Sequence, residues 1–308
     1  MIVVFGSINA DLVARVDALP RAGETQLATG YAVHAGGKGA NQALAARRAG
    51  AQVSLRGAVG RDSFATIALA TLRDAGVDVE RVETTDDATG LALIHVDPQG
   101  RNTITVVAGA NRSVRACALE DRDLRNASTL MLQFELPLSE VIAVAQRAHA
   151  CGARVILNAS PSAPLAEALL GAVGVLVVNE HEATVVARAA GLPEGTEAFC
   201  GAAADRWNLT AIVTLGAEGV VAADASQVVR VPAAPVAVAD TTAAGDAFVG
   251  ALAAALERRA TLVEALADGA AAGSHACGIA GAQPSIAGRD LWSESARTLA
   301  AAARVARR

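Results

Sequence analysis

Apolar strand-like runs and amphipathic helix-like segments alternate along most of this chain, and this rhythm constrains the fold more than any other feature. Parallel strands need a crossover connection, which is usually a helix, and their helices cover both faces of the sheet. The alternation predicts an α/β fold, a three-layer sandwich with a mostly parallel central sheet. The predicted strands are 2–6, 52–58, 130–134, 154–158, 175–178 and 211–215, with helices at 41–49, 64–75, 138–150 and 181–190.

Two segments, 12–35 and 89–108, interrupt this rhythm. Within the second, residues 91–96 and 103–107 alternate apolar and polar side chains on either side of the turn from Asp97 to Gly100. Such alternation is typical of half-buried strands joined by a tight turn. We therefore expect a single domain over residues 1–308 that carries a small β-sheet.

Composition excludes several classes of protein. A net charge of -5 argues against sequence-independent nucleic-acid binding. No run of about eighteen apolar residues is present, so no membrane span is expected. The amino terminus enters a strand without a basic segment before it, and Cys117, Cys151, Cys200 and Cys277 are far apart. These features predict a cytoplasmic protein with reduced thiols.

The segment from Asp240 to Phe248 places small residues and a carboxylate at the start of an Ala/Leu-rich helix predicted to open near Ala243. The first N–H groups of a helix have no intrahelical partners and favour anions. Asp246 in the same turn could take a proton from a hydroxyl beside a bound phosphate. The alternative is that Asp246 only complements the helix dipole and that the neighbouring threonines cap the helix.

A glycine-rich segment, 35–43, precedes another Ala-rich helix. It holds Lys38, the one lysine among the 26 Lys and Arg residues of the chain. An isolated ammonium between glycines suggests a compact donor to a ligand, with Asn41 as a second donor. Chance in an arginine-biased chain is the alternative. The P-loop pattern is absent.

Asn9 and Asp11 follow the first predicted strand, where ligands bind in open α/β sheets. They fall on one side of an extended segment, a spacing that suits neighbouring hydroxyls of a polyol. An Asn-x-Asp pair is also common in plain turns.

Together these segments resemble the ribokinase-like family of carbohydrate kinases. The similarity rests on six ordered motifs that span nearly the whole chain: Gly6 to Asp11, Gly36 to Ala43, Asn179 to Glu182, Thr214 to Gly219, Asp240 to Asp246 and Gly281 to Ser285. The family implies ATP-dependent phosphorylation of a sugar hydroxyl, here of D-ribose at O5 to give D-ribose 5-phosphate. It also implies that 12–35 and 89–108 form a β lid over the sugar.

The resemblance implies roles for individual residues. Asp246 would be the catalytic base, with the amides of Ala243, Ala244 and Gly245 as an anion hole. The remaining residues implied for the ligands are Asn9, Asp11, Gly37, Lys38, Asn41, Glu135 and Asp246 for the sugar, and Asn179, Thr214, Leu215, Gly216, Ala217, Glu218, Gly219 and Gly245 for ATP.

Metal ions are implied in the same way. Glu182 would act on Mg²⁺ indirectly, and a K⁺ site would form from Asp240, Thr242, Ala276, Ile279, Gly281 and Ser285. The chain departs from the family pattern at three places. Ala243 stands where glycine is common, residues 268–273 lack the usual polar contact to adenine, and residues 277–281 lack a basic residue seen in some relatives.

Three alternatives remain at this stage. A related kinase would act on another pentose or a nucleoside, such as deoxyribose. A second alternative is a sugar-sensing binding protein that has lost turnover. The presence of Asp246 argues against it, since the base is the residue that such a protein could most readily lose. A dinucleotide-dependent oxidoreductase lacks its Gly-x-Gly-x-x-Gly sequence here. A sheet with apolar faces and free edges further predicts a homodimer formed through the lid.

Overall fold

The computed structural model describes residues 1–163 and 165–308. Nine strands form one large sheet. Its order from one edge to the other is β15 (Arg304–Arg307), β14 (Gln227–Val231), β13 (Val220–Ala223), β12 (Thr210–Thr214), β11 (Val175–Asn179), β10 (Arg154–Asn158), β9 (Thr129–Leu132), β1 (Ile2–Phe5) and β4 (Val53–Arg56).

The six strands from β12 to β4 are parallel, and β13, β14 and β15 extend the sheet antiparallel. The first strand lies inside the sheet, with Val3 opposite Ser54 of β4 on one side and Leu130 of β9 on the other. The chain thus leaves β1 in one direction and later returns on its other side. At such a switch point the loops after neighbouring strands diverge and leave a crevice, where ligands bind in this class of fold.

Helices cover both faces of the sheet. Alternate residues of β1 enter different cores: Ile2 and Val4 pack in one cluster and Val3 and Phe5 in the other. The first cluster holds α1 (Lys38–Arg48), α2 (Ser63–Asp74), α8 (Ala244–Glu257), α9 (Leu262–Cys277) and α11 (Ser293–Ala301), and the second holds α3 (Asp121–Asn126), α4 (Leu138–Ala150), α5 (Glu167–Leu170), α6 (Glu180–Ala190) and α7 (Thr196–Trp207). A short α10 spans Ala282–Ser285. The predicted three-layer α/β class is confirmed.

A separate four-stranded sheet is built from β2 (Asn9–Val16), β3 (Ala28–Gly36), β7 (Gly90–Val96) and β8 (Asn102–Val107), in the order β3, β2, β7, β8. Only the β2–β7 pair is parallel. Apolar side chains of the outer strands face solvent, with Tyr31 74% and Ile104 55% exposed. Two short strands, β5 (Ala58–Gly60) and β6 (Glu83–Thr85), pair beside it.

The structure corrects several element boundaries. The predicted strand 52–58 is two strands, broken at Gly57, where a side chain would approach the carbonyl oxygen of Gly6 within 2.5 Å. The small sheet starts at Asn9 rather than at residue 12, because Asn9 already pairs with Gly36 and Gly90. Within the described residues, no helix has the length and apolar character that a membrane crossing requires.

Candidate active site

The carboxyl ends of the parallel strands converge on the start of α8. Asp246 lies in the first turn of this helix and is only 6% exposed. Its Oδ2 accepts a hydrogen bond from Asn41 Nδ2 at 3.0 Å, and its Oδ1 accepts one from Gln42 Nε2 at 3.0 Å. Burial raises the pKa of Asp246, while the nearby Lys38 ammonium and both amides oppose the rise. A carboxylate held in this way has the orientation and basicity that a general base requires.

Lys38 begins α1 at the same place. Gly37 before it has φ 90°, and a side chain there would come within 2.8 Å of the Asn9 nitrogen, so the position requires glycine. Burial opposes the charge of Lys38, but Asp246, Glu135 and Glu182 together raise its pKa above the ordinary value. The ammonium therefore stays charged among these three carboxylates.

Glu135 follows β9 and faces the start of α1. Its Oε2 accepts from Ser7 Oγ at 2.6 Å and from the backbone N–H of Lys38 at 3.1 Å. These bonds join the exits of β1 and β9 to the first turn of α1, and they position a carboxylate beside the ammonium.

Asp11 reaches this cluster from β2 of the small sheet. A Cβ on Gly36, in the paired strand β3, would overlap the Asp11 carboxyl group, so glycine leaves room for it. Burial raises the pKa of Asp11 to about 7, and the charges of Glu135 and Asp246 add to the rise. The predicted residues Asn9, Asp11, Lys38, Asn41, Glu135 and Asp246 thus lie together.

Sequence reasoning missed a chain of buried amides behind Asp246. Gln133 Nε2 donates to Gln42 Oε1 at 2.7 Å, and Gln42 Nε2 donates both to Asp246 and to Asn158 Oδ1, the latter at 3.1 Å. Close contact between α1 and α8 makes this possible, because a Cβ on Gly250 would overlap Ala45. Gln42 lay inside a motif already singled out, but its partners are too distant in sequence to be inferred.

Three cavities are lined by these residues and their neighbours. The first, about 190 Å³, is lined by Lys38, Asn158, Asn179, Glu182 and Asp246. The second, about 570 Å³, shares Thr214, Thr241 and Gly245 with the first and has largely apolar walls that include Val236, Val238, Phe248 and Ala270. The third, about 390 Å³, lies against the small sheet and is lined by Asn9, Val106, Asn111 and Glu135.

The residues predicted for a nucleotide divide between these cavities. Thr214, Gly216, Ala217, Gly219 and Gly245 line the 570 Å³ cavity. Leu215 and Glu218 are not among its lining residues: Leu215 packs in the core, and Glu218 is exposed. Asn179 caps α6, where its Oδ1 accepts from the Glu182 N–H and Glu182 Oε2 accepts from the Asn179 N–H.

Helix α8, which carries the predicted anion hole, begins at Ala244, one residue after the predicted start near Ala243. Ala243 is the residue before α8 and has a left-handed backbone, with φ 61°. This conformation is unusual for a residue with a Cβ and suits glycine better. The Ala244 N–H donates to Thr241 O at 3.3 Å. The N–H groups of Gly245 and Asp246, next in the first turn, remain directed out of the helix end.

Asp240 organises the loop before α8. Its Oδ1 accepts from the Thr242 N–H and hydroxyl, and its Oδ2 accepts from the Gly281 N–H at 2.8 Å. Burial opposes the charge, but these hydrogen bonds lower the pKa of Asp240. Among the other predicted cation ligands, Ile279 is 39% exposed, and its N–H donates to the Ala276 carbonyl. The buried Ser285 hydroxyl donates to the Ala282 carbonyl.

This arrangement of a three-layer fold, a buried carboxylate at a helix start and adjoining polar and apolar cavities defines a class of phosphotransferases for small alcohols. Residues 1–287 match the family described as pfkB family carbohydrate kinase. The chain belongs to this family.

Characterised relatives agree. A ribokinase of Schizosaccharomyces pombe is 37% identical over 265 residues, which cover 81% of this chain and 83% of that protein. The crystal structure of a ribokinase from Thermotoga maritima matches with a TM-score of 0.88 at 30% identity, covering 96% of this chain and 99% of the other. A ribokinase from Arabidopsis thaliana, complexed with ribose and ATP, matches with a TM-score of 0.86 at 32% identity over 97% and 98% of the two chains.

Proposed function

We propose that this chain is an ATP-dependent kinase of D-ribose, which transfers the γ-phosphoryl group to O5 and releases D-ribose 5-phosphate and ADP. One observation carries the proposal: the buried carboxylate of Asp246 lines the polar cavity that contains Lys38, and its neighbour Gly245 is shared between this cavity and the nucleotide-sized cavity of about 570 Å³. The similarity to the Arabidopsis ribokinase complexed with ribose and ATP supports both ligands.

In this proposal Asp246 accepts the proton of the sugar hydroxyl as its oxygen attacks phosphorus. Asn41 and Gln42 hold the two carboxylate oxygens and so fix the direction in which Asp246 can accept. The proposed anion hole is formed by Ala243, Ala244 and Gly245 at the start of α8: Ala243 and Ala244 shape the turn, and the free N–H groups of Gly245 and Asp246 face the charge of the transferring group. Such transfer depends mainly on alignment and charge stabilisation.

The sugar would occupy the space between the small sheet and α1. Asp11 and Glu135 would accept from sugar hydroxyls, and Lys38 would donate to a sugar oxygen near the transferring group. The complete proposed set is Asn9, Asp11, Gly37, Lys38, Asn41, Glu135 and Asp246. Three carboxylates with one ammonium suit a neutral polyol and disfavour a sugar phosphate. Closure of the small sheet as a lid would exclude water, which limits wasteful ATP hydrolysis.

ATP would lie along Thr214 to Gly219, with its base against the apolar wall of the 570 Å³ cavity and its phosphates toward Asn179 and Gly245. The donor sets also fit the expected ions. Glu182, which lines the polar cavity and has one oxygen engaged by the Asn179 N–H, would act on Mg²⁺ through water. The carboxylate, hydroxyl and carbonyl oxygens around Asp240 are hard ligands that suit K⁺. Bound ions would neutralise phosphate charge.

We also propose a homodimer through the small sheet, in the cytoplasm. Apolar side chains of β3 and β8, including Tyr31, Ile104 and Val106, are more than half exposed. Exposed apolar sheet surface favours pairing with a second copy. The four free cysteines fit a reducing compartment. A monomer by light scattering at micromolar concentration would contradict the dimer.

A coupled ADP-release assay tests the function across ribose, deoxyribose, fructose, adenosine and fructose 6-phosphate, with Mg²⁺ and with K⁺ replaced by Na⁺. We expect the highest kcat/KM with ribose. A clear preference for deoxyribose or adenosine would reassign the acceptor, and sugar binding without ADP release would favour a sensor. If turnover is the same with K⁺ and with Na⁺, the proposed K⁺ site is contradicted.

A further inference from the structure

Asn111 is a buried residue that none of the recognised motifs contains. It lies just after β8, is 1% exposed, and lines the 390 Å³ cavity together with Asn9. Its side chain bonds to both polar backbone groups of Ile8: Oδ1 accepts from the Ile8 N–H at 2.9 Å, and Nδ2 donates to the Ile8 carbonyl at 3.2 Å. Nδ2 also donates to Asn9 Oδ1 at 2.8 Å. The Asn111 amide therefore uses both of its hydrogens and its oxygen.

These contacts determine which way the Asn9 amide faces. A backbone N–H can only donate and a backbone carbonyl can only accept, so Ile8 fixes the oxygen and nitrogen ends of Asn111. Because Asn111 Nδ2 donates a hydrogen bond to the Asn9 side chain, the atom of Asn9 that accepts it must be Oδ1. Its Nδ2 group is left for the cavity, and no described residue accepts a hydrogen bond from it.

The direction matters because the surrounding site is rich in acceptors. Asp11, Glu135 and Asp246 can all take hydrogens from sugar hydroxyls, whereas the Asn41 amide nitrogen already donates to Asp246. A sugar bound there needs donors for its oxygen lone pairs, and Lys38 and Asn9 Nδ2 supply them. If the Asn9 amide were turned the other way, its oxygen would face a sugar oxygen that has no hydrogen to donate, and no hydrogen bond could form between them.

We propose that Asn111 is a positioning residue that fixes Asn9 as a hydrogen-bond donor to the acceptor sugar. The inference rests on the proposed function, since it assumes that a neutral sugar occupies the cavity beside Asn9. Asn111 acts through Asn9 and does not touch the reacting atoms.

A substitution at Gly90 offers a second way to disrupt the hydrogen bond between Asn111 and Asn9. Gly90 pairs with Asn9 across the β2–β7 ladder, and a Cβ at this position would overlap both Asn9 Oδ1 and Asn111 Nδ2 and come within 2.8 Å of the Ile8 carbonyl oxygen, to which Asn111 also donates. The substitution Gly90→Ala would thus wedge the two amides apart while keeping both. Gly171 provides a matched control, because a Cβ there comes no closer than 3.6 Å to any neighbour, the Glu167 carbonyl, and its backbone is helical.

The test is a double-mutant cycle in steady-state kinetics. Asn111→Asp keeps the acceptor for Ile8 but removes both donors, so Asn9 should turn its nitrogen toward residue 111. We expect the ribose KM to rise about tenfold or more, the size of one misdirected hydrogen bond, with kcat within about threefold and the ATP KM unchanged. In the Asn9→Ala background the same substitution should change the ribose KM by less than about twofold.

An equal factor in both backgrounds would overturn the inference, because Asn111 would then act independently of Asn9. Gly90→Ala decides the matter if Asn111→Asp does not fold: it should raise the ribose KM in the wild-type background, and Gly171→Ala should not. Unchanged ribose KM in folded Gly90→Ala protein also contradicts the proposal. If the wild-type chain prefers another neutral sugar, the proposed substrate fails, and the cycle is run with that sugar. If it phosphorylates none, the same cycle is read from sugar dissociation constants by calorimetry.

Discussion

The two halves of the site differ in the kind of residue that lines them. We call the cluster Asn9, Asp11, Lys38, Glu135 and Asp246 the polar side, and the 570 Å³ cavity the apolar side. On the polar side, buried charges are held by hydrogen bonds between residues far apart in sequence, such as Asn41 and Asp246, 205 positions apart. The apolar side is walled mainly by small and aliphatic residues from four segments, 214–219, 233–238, 241–248 and 270–277.

This difference predicts how each side responds to mutation. A buried polar network is sensitive because loss of one partner leaves another group unsatisfied in a low-dielectric environment. An apolar wall binds through area, so one methyl group changes little. Substitutions on the polar side should therefore change turnover or sugar binding strongly, while those on the apolar side should change only nucleotide binding, and weakly.

The largest effect is expected from Asp246→Asn on the polar side. The side chain keeps its shape but loses its basicity, so kcat should fall by about 10²-fold or more, the usual size of a general-base effect. Ribose should still bind, which isothermal titration calorimetry can measure beside the coupled assay. Asp74→Asn, at an exposed helix end, serves as the matched control. Near-normal turnover of D246N would remove Asp246 from the mechanism.

The next effect tests the boundary between the two sides. A Cβ on Gly245 would meet no atom within 4 Å, so Gly245→Ala fits sterically, and alanine favours helix by up to about 1 kcal/mol over glycine. If the transferring phosphoryl group passes this point, the methyl group should lower kcat by roughly tenfold while the melting temperature holds or rises. Gly250→Ala should instead lower the melting temperature, because its Cβ would overlap Ala45. Full activity in G245A would mean that the phosphoryl group lies elsewhere.

The pH dependence of Asp11 gives a smaller, graded test of the polar side. Its pKa is about 7 in the folded chain, whereas the ordinary pKa of an aspartate side chain is 3.8. The raised pKa favours folding fully below about 3.8, and this contribution is lost as the pH rises through about 7. Asp11→Asn avoids that loss, so its advantage in melting temperature over wild type should grow from pH 5 to pH 8.

Sugar binding should show the opposite trend. An ionised Asp11 accepts hydrogen bonds from hydroxyls better than the protonated form, so the wild-type ribose KM should fall several-fold as the pH rises through about 7. The ribose KM of D11N should stay flat over the same range, and the ATP KM should stay flat in both proteins. A parallel change in both KM values would mean that the titration acts on the fold as a whole.

How much of this molecule the sequence predicted depends on how far each feature reaches along the chain. Helix α4 and strand β10 have the predicted bounds, because their apolar periodicity and flanking breaks are local. The antiparallel strands β13, β14 and β15 were not predicted. Strand β15 lies more than 70 residues after β14 and is wholly exposed, so its pairing leaves no periodic signal.

The same limit applies to the site. Lys38 and Asp246 stood out because glycines and a helix start surround them in sequence. Asn111, Gln133 and Asn158 did not, because each matters only through a partner 90 or more residues away: Ile8, Gln42 and Gln42 respectively. A single buried amide in a sequence gives no sign of whether it fills a core or orients a ligand group. Only the folded arrangement shows which groups its oxygen and nitrogen meet.

The smallest expected effect tests the apolar side alone. Val238 lines the 570 Å³ cavity and is 65% exposed, so a bound base would cover only part of it. Val238→Ala removes apolar area worth less than about 1 kcal/mol, and the ATP KM should rise roughly two- to threefold. The ribose KM and kcat should not change, and Val305→Ala in exposed β15 should leave all three constants alone. A fall in kcat of V238A as large as that of D246N would break the comparison, because the apolar wall would then share in catalysis and not in binding area alone.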